Sequence, residues 1–482
     1  MIKLYDFPEK YEKRDTLFEV WCEGKRIDTY SCDVSAIPFN QIWQGKQRSF
    51  SQTEKSAFLS LENDGETILM IKPKRAFTSF AIRPLEKNVT AERTNDGITA
   101  IFKEPGQYSV EFDGMHYALA VFINPEKDFS VYRNDKNVIY FAPGVHFLDE
   151  RIMLEDGQTV YIDAGAVVYG SLNAINKKNI KVVGYGILDN SYMERENAVQ
   201  STRQIYDDSN KKTGLPIFFD RCENVLVEGI TIVNSSEWTL KFAACKNVCV
   251  DNIKVIGLWR YNADGCDFCN CINAVIKNSF LRTFDDVIVV KGLNSWRDVP
   301  VQNILAENCV LWCDWGKSLE VGVESCAPYM KDIAFKNCYL IHGSAVMMDV
   351  QQGDSANISN VLFDHIHIEY TGDEMPLARE DRIKEYPFSN EEYLPQLFQV
   401  VSGLTSWSSD QTVGNICDVK FRNIKITLPH TPNRLPASIA TKDESGAIRN
   451  VSFKNLVCNS NPLSLKDIDL KIGGNVENVV EE

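Results

Sequence analysis

The stretch 257–292, GLWRYNADGCDFCNCINAVIKNSFLRTFDDVIVVKG, holds the residues best spaced for chemistry. Asp264 lies in N-A-D-G-C-D. Asp285-Asp286 begin 21 residues later and lead through an apolar run to Lys291. Carboxylates gathered at element ends suit cleavage of a glycosidic bond. One acid protonates the leaving oxygen, and one base activates water or attacks the sugar. Neighbouring carboxylates raise one another's pKa, so one can keep its proton near neutral pH. Asp264-Gly265 alone would be a common turn, and Asp285-Asp286 alone a solvated bend. Together they point to catalysis, with Asp267 in a structural or supporting place.

These residues need elements that stack. Between them INAVIKNSFL alternates like a short strand, and the same unit recurs along 131–482. Its polar anchors are Asn179, Asn224, Asn247, Asn273, Asn303, Asp332, Asn360, Asp418, Asn450 and Asn478, most of them roughly 23–33 residues apart. Each anchor opens a short alternating strand, a bend marked by Asn or Gly, and a second strand. One such coil cannot bury its inward face, but a stack can. The pattern predicts an all-β chain whose main domain is a right-handed parallel β-helix. The L-x-x-L-x-L signature of leucine-rich repeats is missing. Asp264 and Asp285 would then sit on adjacent rungs of one face. Cys222, Cys245 and Cys271 each precede an anchor by two residues, and Cys309 and Cys338 follow one by six, as in stacked ladders. Cys266, Cys269 and Cys271 also allow a metal reading, but no second close-spaced cluster completes a site, so no metal and no organic cofactor is expected.

Residues 1–130 read differently. TLFEVWCEG, AFLSLEN, TILMIKP, ITAIFKE, YSVEFDG and YALAVFIN alternate and are separated by turn residues, which predicts an N-terminal β-sandwich without acid–base chemistry. The net charge of −15 argues against nucleic acid. The N-terminal MIKLYDFPEKYEKRD lacks the apolar core of a signal peptide, and no run approaches a membrane span, so a cytoplasmic location with free buried thiols is the expectation. Segments 190–215 and 371–415 interrupt the period and are candidates for loops on the binding face; the second carries Tyr386, Tyr393 and Trp407, as a flap over a sugar cleft or an oligomer contact would.

Residues 224–292 resemble the polygalacturonase-type glycoside hydrolases, family 28. GITIVNSSEWTL resembles the strand leading to N-S-P-x-W, NADGCD resembles N-T-D-G-I-D, and DDVIVVK resembles D-D-C-I-A-I-K, with Lys291 in the matching place. A sandwich followed by a β-helix is similar to the related family 49, the dextranase and isopullulanase group. The resemblance implies an inverting hydrolase of oligo- or polysaccharides, with Asp285 as general acid and Asp264 and Asp286 holding and activating water. Two departures stand out. Where the polygalacturonases carry G-H-G, CDWGKSLEVGVES has no His, and Lys317, Glu320 or Glu324 can occupy that space. Their R-I-K carboxylate-binding motif is replaced by QQGDSANISN, and the literal Arg382-Ile383-Lys384 falls in the second interruption. The expected substrate is therefore a neutral glycan, or one recognised differently.

Trp238, Trp259, Arg260, Tyr261, Trp312 and Trp315 lie near the ends of coils that carry the acids and are candidate sugar platforms. His342, Asp349, Gln351 and Gln352 are candidates on the following coil. A polysaccharide lyase with Lys291 as base, and a non-catalytic glycan-binding helix, remain the alternatives.

Overall fold

A computed structural model describes residues 2–36, 48–149, 151–195, 212–372, 374, 393–429, 435–442 and 446–482. The chain begins with two five-stranded sheets. One runs in the order Lys25–Ile27, Phe18–Cys22, Thr67–Pro73, Ile98–Phe102, Thr90–Arg93. The other runs Tyr30–Ser35, Thr53–Glu62, Ala118–Asn124, Gly106–Phe112, Phe80–Arg83. Alternation buries one side of each strand, and Phe18, Val20, Leu59, Leu69, Ile71, Val110 and Val121 fill the space between the sheets.

From Val138 onward the strands pair in parallel with their equivalents one coil away, as a right-handed parallel β-helix. The coil Leu240–Ala243, Lys246–Asp251, Lys254–Ile256 is representative. Its first strand joins an 11-stranded sheet, and its second and third join a 22-stranded sheet that bends between them. Inward residues repeat from rung to rung. Phe335, Phe363, Phe421 and Phe453 stack with successive ring centroids 5.0 Å apart, close to the strand spacing of ~4.8 Å.

The anchors carry the corner geometry. Asn179, Asn224, Asn247, Asn273 and Asn303 all have φ between 57° and 59°, in the left-handed region that Asn tolerates better than most residues. Each side-chain amide donates to the preceding one, at 3.1, 3.0, 3.1 and 2.9 Å. The cysteine ladders are present too: the Sγ of Cys245 lies 3.4 Å from the Cys222 amide nitrogen, and Cys271 Sγ donates to the Phe242 carbonyl at 3.3 Å. All fourteen cysteines are free, and all but Cys249, Cys417 and Cys458 are buried.

The second interruption is shorter than the sequence suggests. Gln396–Ser402 is a regular strand of the 11-stranded sheet, paired with Val346–Gln352. Its LFQVVS lacks an Asn anchor, so the period was hidden. Tyr386 and the literal Arg-Ile-Lys fall outside the described residues, as does most of 190–215.

The sandwich covers one face of the helix. Tyr30, Phe58, Ala120 and Phe122 pack on Val233, Ile256, Phe280, Val310 and Ile341 from the third strands of successive coils. Buried polar contacts cross this interface: Lys254 Nζ donates to Asn124 Oδ1 at 2.5 Å, and His342 meets Glu111 at 2.8 Å. Among the described residues no helix is long and apolar enough to cross a membrane.

The ladder makes a separable prediction. Asn247→Ala loses two side-chain hydrogen bonds of ~1 kcal/mol each and meets a left-handed backbone cost of ~1–2 kcal/mol. Asn247→Gly loses only the bonds. Thermal unfolding should rank wild type above the Gly variant, and the Gly variant above the Ala variant.

Candidate active site

The acids sit in the turn that feeds the 11-stranded sheet. Segments 262–265, 284–287 and 314–317 lie on three consecutive rungs. Asp285 N–H donates to Ala263 O at 3.2 Å, Gly265 N–H to Asp286 O at 2.9 Å, and Val287 N–H to Lys317 O at 2.9 Å. The stacking is tight enough to require glycine. A Cβ on Gly265 would lie 2.4 Å from Val287 O, and one on Gly316 would lie 2.5 Å from Asp286 N. The strands that follow, Cys266–Cys269, Ile288–Gly292, Lys317–Ser325 and Val346–Gln352, pair in parallel, with one register shift between Val290 and Gly292. That register places Asp267, Val289, Glu320 and Asp349 in one row across the sheet.

These rungs floor a cavity of about 440 Å³. Asp264, Asp285, Asp286, Lys291, Trp238, Tyr261, Trp315, Lys317, Glu320 and Glu324 all line it, as the sequence anticipated. Sequence reading missed Arg195, Glu237, Asn262 and Thr405, whereas Trp407, an aromatic of the 371–415 interruption, does reach the cavity. Asn262 was within reach, two residues before Asp264 in the same turn. Trp407 lies in a loop with no periodic signal.

Three predicted platforms are corrected. Trp259 is fully buried, edge-on to Phe50, and its carbonyl accepts from Arg48. Arg260 is also buried and donates to the carbonyls of Met193 and Ser191. Neither lines the cavity; the turn that follows carries Tyr261 and Asn262 to it instead. Trp312 faces the sandwich, between Arg282 and His342, and His342 binds Glu111. Gln352 is tied to the carbonyls of Asp354 and Ala356, while Gln351 lines the cavity and donates to Asp349 at 2.5 Å.

The buried charges separate into distinct roles. Burial and the neighbouring Asp286 charge push Asp285 well above the ordinary carboxyl range. Its Oδ2 lies 3.5 Å from Asn262 Nδ2. Asp286 is equally buried, yet Lys317 and Lys291 together with a hydrogen bond from Glu320 bring it below its ordinary value. Its Oδ1 accepts the Lys317 N–H at 2.9 Å and lies 3.5 Å from the ammonium. Burial, then the charge of Asp267, raises Asp264 strongly. Burial lifts Asp267 to about 7 and Asp349 to about 6. Burial and Asp286 raise Glu320, which sits 2.9 Å from the Lys317 ammonium. Burial opposes the charge of Lys291, but Glu324, Asp264 and Asp267 more than offset it, so the ammonium persists. Lys291 lies 3.4 Å from Asp264 and 3.6 Å from Asp267. Asp264 Oδ1 and both Asp267 oxygens are buried without a hydrogen-bond partner among the described residues, which is costly for an ionised group.

The sandwich reaches this cavity indirectly. The Arg48 guanidinium lies 4.0 Å over Phe284, and Phe284 stacks flat on Trp315, with centroids 5.5 Å apart and planes 5° apart. Phe284 immediately precedes the acid pair. Among the described residues, the metal-spaced group is Cys326, Asp354 and Asp410, not Cys266, Cys269 and Cys271. Asp354 already accepts from the Ser325, Ser409 and Asp410 amides, and Asp410 pairs with Arg297, so these oxygens serve the loop.

Residues 159–375 match the model of glycosyl hydrolases family 28. Among curated proteins, the chain is 24% identical over 282 residues to a probable exopolygalacturonase B of Aspergillus fumigatus, covering 52% of this chain and 60% of that protein. It is 21% identical over 231 residues to a probable rhamnogalacturonase A of Aspergillus oryzae, covering 47% of each. The aligned part thus spans about 60% or less of these relatives. Among solved structures, Dex49A from Penicillium minioluteum superposes with a TM-score of 0.60 at 14% identity, covering 98% of this chain and 96% of that one. The chain is family 28-like in its helix, with a family 49-like architecture.

Two tryptophans separate platform from packing. Trp407, 46% exposed at the cavity rim, should raise KM several-fold when changed to Ala and leave the melting temperature near wild type. Trp259→Ala should cost ~3–5 kcal/mol of stability, read by chemical denaturation.

Proposed function

We propose that this chain is a glycoside hydrolase that cleaves oligo- or polysaccharides with Asp285 as general acid and Asp286, assisted by Asp264, as the base that holds and activates water. The observation that carries this reading is the electrostatic split of an adjacent pair. In one cavity, burial and the neighbouring charge raise Asp285 well above the ordinary carboxyl range, while Lys317 and Lys291 bring Asp286 below it. Hydrolysis with an acid and a base on opposite sides of the sugar needs such a division.

Lys317 and Glu320 stand where a polygalacturonase would carry its histidine. The ammonium and the protonated Glu320 carboxyl both bear on Asp286 and favour its ionised form. Lys291 joins Asp264 and Asp267 beneath the reacting sugar, which limits the charge accumulated by the three aspartates. Trp238, Tyr261, Trp315 and Trp407 offer aromatic surface around the acids. The names of the relatives make pectic glycans the first substrates to test. Inversion follows from the role of Asp286 toward water rather than sugar. A lyase would need a cation that surrenders a proton, and the carboxylates around Lys291 hold its ammonium well above the ordinary range.

Asp285→Asn should lower kcat/KM by ~10²–10⁴-fold on natural glycans, with much smaller loss on aryl glycosides whose leaving groups need no proton. Equal losses on both would remove Asp285 from the acid role. The base must be ionised and the acid protonated. The kcat/KM profile should therefore rise with pH on a limb below the ordinary carboxylate range, set by Asp286, and fall on a limb well above it, set by Asp285. Steady-state kinetics from pH ~2 to ~10, from below a free carboxyl to near a free lysine, would show both arms or refute the pairing.

A further inference from the structure

Trp407 stands at the rim of the acid cavity, on a loop, 403–415, that joins the strands Gln396–Ser402 and Ile416–Thr427. It is nearly half exposed, so the loop backbone carries much of its placement. That backbone is closed locally by its own side chains. Thr405 Oγ1 accepts the Trp407 N–H at 3.1 Å, and Ser408 Oγ accepts the Thr405 N–H at 2.9 Å. Thr405 O accepts the Ser408 N–H at 3.2 Å, which completes a tight turn around the tryptophan.

The turn is tied to the helix by Asp354. This residue follows the strand Val346–Gln352 and is fully buried. Its Oδ1 accepts the Ser409 N–H at 2.6 Å and the Asp410 N–H at 2.8 Å. Its Oδ2 accepts the Ser325 N–H at 2.9 Å. Ser325 closes the strand Lys317–Ser325, whose Lys317, Glu320 and Glu324 line the cavity. One carboxylate thus joins a strand of the cavity floor to the loop that carries the rim tryptophan. Hydrogen bonds to an ionised acceptor are about twice as strong as neutral ones. Asp410 adds an outer tie, accepting from Arg297 at 2.9 and 3.2 Å and from the Ser355 N–H at 3.1 Å. The fit is close: a Cβ on Gly353 would lie 2.7 Å from Val323 O and 3.2 Å from Ser408 Oγ.

Resting on the hydrolase reading, we infer that Asp354 is a positioning residue for sugar affinity. By gathering the Ser325, Ser409 and Asp410 amides on one buried carboxylate, it holds Trp407 against a sugar ring bound beside the acids. Its effect passes through the rim loop, so it belongs to binding rather than to proton transfer.

Hydrogen exchange of the intact protein tests the tie without substrate. In Asp354→Asn, the amides of 404–410 should exchange ~10-fold or more faster than in wild type, while those of Ile416–Thr427 stay unchanged. Arg297→Met, a change at an exposed side chain, should speed the same amides to a smaller extent. Kinetics on galacturonate and rhamnogalacturonan oligomers read the consequence. Asp354→Asn should raise KM several-fold, toward the value of Trp407→Ala, with kcat close to wild type. Combined with Trp407→Ala it should add little, since both changes remove the same contact. Should Asp354→Asn fail to fold, Arg297→Met reads the same exchange and the same KM. Loop amides exchanging at the wild-type rate, losses that add in the double variant, or a fall in kcat with KM unchanged would each overturn the positioning role. Cleavage by wild type with KM untouched by Asp354→Asn would leave the hydrolase and remove that role. Faster loop exchange in a protein that cleaves none of these glycans would instead overturn the hydrolase reading, and the role in sugar affinity with it.

Discussion

Parallel pairing in strict register is the constraint on which everything else depends. Each coil must place its corner directly over the previous corner, within ~4.8 Å. That is why Asp264, Asp286 and Lys317 meet although they are far apart in the chain, and why Gly265 and Gly316 are needed where backbone passes backbone. The active-site cluster is a by-product of stacking. One row runs from Phe218 and Lys241 through Asp267, Val289, Glu320 and Asp349, and Lys291 and Lys317 stand beside it.

Such a row would be unfavourable without compensation. Asp264, Asp267, Asp285, Asp286, Glu320 and Asp349 are all nearly or fully buried. The fold answers partly with charge, through Lys291 and Lys317, and partly by leaving several carboxyls protonated. The sandwich contributes at a distance. Arg48 rests on Phe284, Phe284 on Trp315, and the acid pair follows Phe284 in sequence. The module without acid–base chemistry of its own thereby steadies the wall of the cavity.

Much of this was legible in the sequence because a solenoid is written in periods. The Asn anchors mark corners, since few other residues tolerate φ near +57°. Spacing alone put Asp264 and Asp285 one rung apart. Orientation at a corner was not legible. Trp259 and Arg260 adjoin Tyr261, but the turn sends the first two inward and the third to the cavity. The strand Gln396–Ser402 was hidden because its apolar run carries no anchor. The second cavity gathers Arg151, Glu194, Arg195, Glu237 and Lys241 from separate parts of the chain, a coincidence in space that no local motif announces.

The asparagine ladder has a polarity. Each amide gives its hydrogen to the carbonyl of the rung before, unbroken from Asn179 to Asn303. At the next corner stands Asp332, and later Asp418. A carboxylate accepts from Asn360 or Asn450 but has nothing to pass back. The two aspartates therefore act as full stops, dividing one seam into three sentences. The longest of them contains the rungs that bring Asp264, Asp285 and Asp286 together, so the chain's grammar is least interrupted where its chemistry is placed.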